Sequence, residues 1–289
     1  MTEYKLTVII PSYNKAKYIK EALNSVFMQK TTYPYQIIIA DDCSNDNTLN
    51  IIKEYQKQYT NLIVLPSAKN QGLYKNIIRA YKITKTDYFC VLDPDDFWID
   101  KYKIQKSLDF LENNKEFTIY VTNTLIQNKN GIRKVFINNT PKDCIFDDYL
   151  KDRATLGCTL GGIFRNVIFK NGLPEKMVNL QNESCERSFR GDSFRNIIHL
   201  QQGKAHSVDD FDGVYRITDD SLWQSLSEFK QDLLNAEFRI NSFNYFDEQY
   251  IELLVSGYIM LARLRASKSY LEEIDDLVLI RQYLSLIHI

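Results

Sequence analysis

The 289-residue chain has little of what marks a disordered segment: ten glycines and six prolines stand against nineteen tyrosines. It also has no surplus of charge. Thirty-six Lys and Arg face 37 Asp and Glu, a formal −1, where a nucleic-acid binder shows a basic excess. No apolar run approaches the roughly 18 residues that cross a bilayer. The opening Met1-Thr2-Glu3-Tyr4-Lys5 lacks the apolar h-region of a signal peptide. These absences predict a cytoplasmic protein with no nucleic-acid partner, peripheral at most to the inner face of the membrane. The five cysteines, at 43, 90, 144, 158 and 185, form no CxxC pair. Zinc and a disulfide framework are therefore not expected, and reduced thiols are. Internal repeats and low-complexity linkers are missing too.

What is present is a core. Apolar residues make up 44% of the chain, and the length suits one large α/β domain with a smaller appendage. Buried-type strands are read at Leu6–Ile10, closed by Pro11, then at Gln36–Ala40, Leu62–Leu65 and Tyr88–Leu92. Between them, helical spacing is read over Ala16–Met28, Leu49–Tyr59 (with Asp46 or Asn47 as N-cap) and Leu73–Ile83. Strand and helix in alternation predict a mostly parallel sheet flanked by helices, joined by right-handed crossovers.

After Trp98 the pattern changes. A helix is expected over Lys101–Glu112, a hairpin over Thr118–Gln127 and Ile132–Ile137 turning at Asn130-Gly131, and a short helix at Phe146–Leu150. A strand is expected over Gly161–Phe169, a helix over Asp192–Gln202 and a strand over Val208–Ile217. From Leu226 onward the spacing is helical to the end. The expected division is a domain over 1–223, in halves 1–100 and 101–223, and a helical region over 224–289. The chain stops within the apolar Tyr283–Ile289 without a capping signal, which reads as a truncated end.

The densest chemistry lies in Tyr88-Phe89-Cys90-Val91-Leu92-Asp93-Pro94-Asp95-Asp96. An apolar strand ends in three carboxylates, and ligands of open α/β sheets sit beyond such strand ends. Adjacent acids repel unless a cation holds them, and hard oxygen donors suit Mg²⁺ or Mn²⁺. Ser12-Tyr13-Asn14 and Asp41-Asp42 follow two other strands, so three polar clusters should meet on one sheet edge. A metal-assisted enzyme acting on a phosphate compound is the expectation. For each residue an ordinary structural reading stands beside it: an Asx link to Ser44 for Asp42, core packing for Tyr13, turn formation for Asn14, Asn70 and Asn76, and a cap on the following turn for Asp96.

Four ordered motifs resemble the family 2 glycosyltransferases of the GT-A fold: Ile9-Ile10-Pro11-Ser12-Tyr13-Asn14, Ala40-Asp41-Asp42-Cys43-Ser44-Asn45-Asp46-Asn47-Thr48, Asn70-Gln71-Gly72-Leu73-Tyr74-Lys75-Asn76 and Leu92-Asp93-Pro94-Asp95-Asp96. Weaker pieces continue to Val214-Tyr215-Arg216. The resemblance implies an inverting transferase that takes a sugar from a nucleoside diphosphate, UDP first, onto a saccharide or lipid-linked saccharide. It assigns the donor to Pro11, Tyr13, Asn14, Asp42, Asn70, Lys75, Asn76 and Asp93, with Tyr13 stacked on the base and Asp42 accepting its ring N–H. It assigns Mn²⁺ or Mg²⁺ to Asp93 and Asp95. Asp192, in Phe189-Arg190-Gly191-Asp192, takes the place of the general base, and a helix start there favours its charged form. An N-cap is its ordinary alternative, and Glu183 and Glu186 are held in reserve. Relatives with a His after the Tyr-Arg pair differ from this chain, which has Thr218. Arg216 is open to a phosphate contact or an ion pair, and His199 and His206 are expected on a helix surface or loop. A nucleotidyltransferase is the rival enzyme reading, although Pro11-Ser12-Tyr13-Asn14 stands where its glycine- and lysine-rich loop belongs. A non-catalytic nucleotide-sugar binder is the rival outside enzymes. The basic Arg263, Arg265 and Lys268 suggest an anionic membrane, offset by Glu272, Glu273, Asp275 and Asp276.

Overall fold

Four apolar runs take the centre of the fold because neither of their faces can meet water. The computed structural model describes residues 3–135, 142–219, 221 and 223–266. In it β1 (Leu6–Ser12), β2 (Tyr35–Asp41), β3 (Leu62–Pro66) and β4 (Tyr88–Val91) alternate with α1 (Ile19–Phe27), α2 (Thr48–Gln58) and α3 (Leu73–Ile83). These four strands pair with one another in parallel, in the order β3-β2-β1-β4. Val8, Ile9 and Ile10 are all fully buried, as are Ile37, Ile38 and Ile39. Neighbours on a strand point to opposite faces, so both faces are covered. α1 buries Ile19, Ala22, Leu23 and Val26, the spacing of one helix face. Pro11 does not close β1 as expected but lies inside it, opposite Ala40. Ladder parity explains this. The Ile9 carbonyl accepts from Leu92 and the Ser12 carbonyl from Asp42, so Pro11 faces the β4 side, where pairing has ended and no N–H is needed.

Beyond β4 the sheet is mixed. β5 (Phe97–Trp98), α4 (Lys103–Asn113), β6 (Phe117–Asn128), β7 (Gly131–Val135), β8 (Asp143–Cys144) and α5 (Phe146–Leu150) come first. A 3-10 turn at Thr159–Gly161, β9 (Gly162–Arg165), α6 (Glu175–Val178), α7 (Glu183–Phe189), α8 (Asp192–Leu200) and β10 (Lys204–Arg216) follow. β9 inserts antiparallel between β4 and β6, while β10 runs parallel to β6. β6 and β7 form the expected hairpin; Phe136 and Ile137, assigned to its second arm, lie outside the described residues. The strand expected through Phe169 ends at Arg165, and the one expected from Val208 starts at Lys204.

A buried ion pair anchors this half. Lys103 Nζ lies 2.8 Å from Asp212 Oδ2, and Thr122 Oγ1 donates to Asp212 Oδ1 at 2.7 Å. Both charged side chains are almost wholly buried, so removing either partner would strand the other. The Asp212 carbonyl accepts the Ile99 N–H at 2.8 Å, which sets the chain just after the acid run. The next residue is packed closely: a Cβ on Gly213 would lie 2.1 Å from Leu160 Cδ1, so a larger residue would have to displace that buried side chain.

Both histidines differ from expectation. His199 is fully buried on α8, with its ring 5.5, 5.1 and 5.6 Å from those of Phe89, Phe164 and Phe169. His206 is buried on β10, stacked 4.0 Å from the Phe110 ring, with Nδ1 2.7 Å from Asp143 Oδ1. The apolar face of α8 simply continues through position 199, and polar residue type hid it. Burial pulls the His199 pKa down to about 3. The unfolded chain therefore takes up a proton below about 6.5 that the folded one refuses until about 3. Stability should fall as pH drops through that window, by up to about 1.4 kcal/mol per pH unit from this group. His199→Phe should remove that contribution. Urea melts of both proteins at pH 7 and pH 5 check it, and equal pH dependence would refute it.

The described residues separate into two units, one drawn from 1–180 and 189–218, the other from 181–188 and the residues after 218. In the second, α9 (Glu228–Tyr245) and α10 (Ile251–Ala266) pack Phe229, Leu233, Ala236 and Ile240 against Leu261 and Leu264. The helical run expected from Leu226 is broken between them, where Asp247 and Glu248 take left-handed φ of 55° and 62°. The buried Glu237 takes two hydrogen bonds from Arg187. Arg263 and Arg265 are exposed in the last turn of α10. Lys268, the acids at 272–276 and Tyr283–Ile289 lie outside the described residues. No helix among the described residues is long and apolar enough to cross a membrane.

Candidate active site

The carboxyl ends of β1, β2 and β4 emerge on one edge, and their loops are stitched together. Asp41 accepts from the Ser44 N–H at 3.0 Å and its hydroxyl at 2.6 Å, so the Asx link considered for Asp42 belongs to its neighbour. Asp42, 2% exposed, instead accepts the Gln71 and Gly72 N–H groups at 2.9 and 2.8 Å. Gly72 delivers its N–H at φ 86°, a conformation that favours glycine. Each Asp42 oxygen keeps a second lone pair. Asn14, at φ 51°, donates its N–H to Ser44 Oγ and accepts from the Asn45 N–H. Asn70 accepts a second bond from Gly72. Asn76 is buried below the edge, with Nδ2 donating to the Ala40 carbonyl at 2.6 Å. Pro11 is buried and Lys75 exposed. Tyr13 is 40% exposed, which rules out core packing and leaves a ring open at the edge.

The acid run adopts three different environments. Asp95 pairs with Lys15 Nζ at 2.9 Å, a contact no motif announced. Asp96 is not a helix cap: it is buried and accepts the Arg216 N–H at 2.8 Å, leaving Oδ2 without a partner among the described residues. Burial and the Asp93 charge push its carboxyl well above the carboxylate range. Asp93 is pushed up to about 7 by desolvation and by Asp95, with Asp192 adding to the rise and Arg195 and Lys15 opposing it.

Asp192 is the first residue of α8, and its Oδ1 accepts the Ser193 N–H at 2.7 Å. Glu183 and Glu186 lie on α7, within the second unit. Arg216 proves structural. Its fork donates to the Asp95 carbonyl at 2.7 Å and pairs with Glu21, between the rings of Tyr18 and Phe97. Cys158 feels Asp192, Asp96 and Asp93, and burial above all pushes its thiol up. It packs against the hydrophobic core. Sequence reasoning missed Lys15, Cys158 and Arg195. Only the polar types of Lys15 and Arg195, inside otherwise helical or turn-like segments, could have pointed to them.

The donor set suits a shared ion. No three His, Cys, Asp or Glu side chains among the described residues close a protein metal site. Asp93 and Asp96, both pushed up, and the unpartnered buried Oδ2 of Asp96 are, however, what a cation would relieve. Mg²⁺-type sites often use one or two carboxylates and complete the shell with substrate phosphate. Asp93 and Asp95 fit that pattern.

A parallel half-sheet with acids and an aromatic at its carboxyl edge, continued by a mixed half, is the architecture of a GT-A nucleotide-sugar transferase. The Glycosyl transferase family 2 model matches residues 7–170, more than half of the chain, and the chain belongs to that family. It is 37% identical over 153 residues to the dTDP-rhamnosyl transferase RfbG of Shigella flexneri, covering 51% of each chain. Across the curated relatives it matches first, it spans 33% to 62% of their length. Among solved structures, S. aureus TarS 1-349 in complex with UDP-GlcNAc superposes with a TM-score of 0.59 at 20% identity, over 83% of this chain and 67% of that one. The mannosyltransferase PcManGT of Pyrobaculum calidifontis, in complex with GDP-Man and Mn²⁺, gives 0.56 at 13%, over 98% and 83%. At these identities the structures speak for the fold.

Proposed function

We propose that the first unit is the catalytic domain of a metal-dependent inverting glycosyltransferase, moving a sugar from a nucleoside diphosphate, UDP first, to a hydroxyl of a saccharide or lipid-linked saccharide in glycan assembly. The observation that carries this is the meeting of the β1, β2 and β4 loops at one sheet edge, where the open ring of Tyr13, the buried Asp42 and the Lys15-paired Asp95 stand together. TarS with UDP-GlcNAc, PcManGT with GDP-Man and Mn²⁺, and the dTDP-rhamnosyl activity named for RfbG support a nucleotide-sugar donor.

In this reading the base of the nucleotide stacks on Tyr13, while Asp42 holds the Gln71–Gly72 loop as the rim of its pocket and offers a remaining lone pair to the ring N–H. Pro11, Asn14, Asn70, Lys75 and Asn76 shape or flank the donor site. Asp93 and Asp95 would hold Mn²⁺ or Mg²⁺, which when bound offsets charge on the departing diphosphate. Lys15 keeps Asp95 in place. Asp192 takes the proton of the acceptor hydroxyl as it attacks the anomeric carbon from the face opposite the diphosphate.

Calorimetric titration of UDP, GDP, CDP and dTDP, each with Mn²⁺ and with a chelator, tests the reading. Metal-dependent binding of one nucleotide supports it, and binding of none overturns it. Tyr13→Ala should weaken the favoured nucleotide by roughly 1–3 kcal/mol, the worth of one base–aromatic stack. An unchanged Kd in the same titration would remove Tyr13 from the site.

A further inference from the structure

Lys15 follows Tyr13 and Asn14 on the loop between β1 and α1, and its Nζ lies 2.9 Å from Asp95 Oδ2. The backbone of that loop is fastened elsewhere. The Lys15 N–H donates to Thr48 Oγ1 at 2.7 Å, and the Ala16 N–H donates to Asp46 Oδ2 at 3.1 Å. The ammonium can therefore leave Asp95 without the loop coming loose. The pair is also within reach of solvent. Both side chains are 15% exposed, whereas Lys103 and Asp212 are sealed at 0% and 4%.

Strand order decides what passes over Lys15. β1 lies between β2 and β4, so its loop separates Asp42 and the Gln71–Gly72 rim from the acids that follow β4. In the donor reading the base sits at Tyr13 and Asp42, and the cation at Asp93 and Asp95. The diphosphate that joins them crosses the loop carrying Lys15. The Lys15 charge, however, stands on a carboxylate assigned to the cation. An ammonium and a divalent ion on one carboxylate repel strongly at such short range. A diphosphate offers the ammonium another partner, because a lysine is a mobile point charge suited to phosphate oxygens.

We propose that Lys15 is an exchangeable counter-ion: it neutralises Asp95 until the donor arrives, then yields that carboxylate to the cation and turns to the diphosphate. Cation and nucleotide then bind as a coupled pair, each held weakly without the other. The inference rests on the donor reading above.

The test is calorimetry on the full chain with three probes: Mn²⁺ alone, the nucleoside diphosphate favoured in the donor titration with Mn²⁺, and the corresponding nucleoside. Lys15→Met should bind Mn²⁺ alone about tenfold more tightly than the wild type, because no ammonium competes for Asp95. It should bind the diphosphate about tenfold more weakly, because the phosphates lose a charged partner, and still respond to chelator. The nucleoside has no phosphate and should bind both proteins within about threefold. Lys15→Gln keeps a donor for Asp95 without the charge and should follow Lys15→Met, which answers the question if the Met variant does not fold. Unchanged Mn²⁺ affinity in a folded variant overturns the inference. Equal losses of nucleoside and diphosphate also overturn it, because Lys15 then only organises the loop. Both outcomes leave the donor reading standing. A wild type that binds no nucleotide removes both.

Discussion

Asp192→Asn is expected to abolish sugar transfer almost completely while leaving nucleotide binding intact. A positioned general base contributes about 10²- to 10⁴-fold, so kcat should fall by roughly a thousandfold. The substitution is chosen to separate two roles of one residue. As the first residue of α8, with Oδ1 on the Ser193 N–H, Asp192 also stabilises the helix start, an effect of about 1 kcal/mol at most. Asparagine keeps an oxygen for that N–H but cannot take a proton. Single-turnover transfer, nucleotide Kd and melting temperature, measured together, distinguish the cases. Transfer lost with Kd and melting unchanged identifies the base. Transfer retained would assign Asp192 to the helix alone and turn attention to Glu183 or Glu186.

Asp95→Ala should abolish metal-dependent nucleotide binding. Outer-shell partners of metal ligands already cost about 10- to 100-fold when removed, so a direct ligand should exceed that. The residual affinity should no longer respond to Mn²⁺ or chelator. The ion pair with Lys15 complicates this, because losing Asp95 also strands a largely buried ammonium group. Lys15→Met therefore serves as the control: it breaks the same pair but leaves the carboxylate. If both variants lose nucleotide equally, the pair organises the loop and the ligand assignment of Asp95 fails. If only Asp95→Ala loses the metal response, the carboxylate itself holds the ion. Asp93→Asn, at a site whose acid is pushed up to about 7 by desolvation and Asp95, should resemble Asp95→Ala in direction.

The parallel half of the fold was legible because its cause is local. A run such as Val8-Ile9-Ile10, with no polar residue to face water, can only be a strand covered on both sides. α3 was bounded to the residue, from Gly72 and its apolar stripe. The second half was harder for stated reasons. β5 and β8 are two residues long and carry no period. β10 is bulged where it passes Val208 to Gly213, which breaks alternation. Residue type misled at His199 and His206, where aromatic rings supply an apolar cage that only distant segments can build.

The sequence by itself determined the class of chemistry: carboxylates at the ends of apolar strands, in an order and spacing that the family shares, follow from residue identity along the chain. Tertiary structure decided how the labour is divided among those acids. Asp41 and Asp42 are adjacent in sequence, yet one holds Ser44 and the other the Gln71–Gly72 loop. Asp95 faces Lys15 and Asp96 the Arg216 backbone, 120 residues away. Arg195 reads as a surface helix residue, yet it is buried with its guanidinium over the Phe164 ring of β9. Charge, burial and hydrogen-bond partners are properties of an environment assembled from segments far apart in the chain, and that environment forms only when the sheet closes around it.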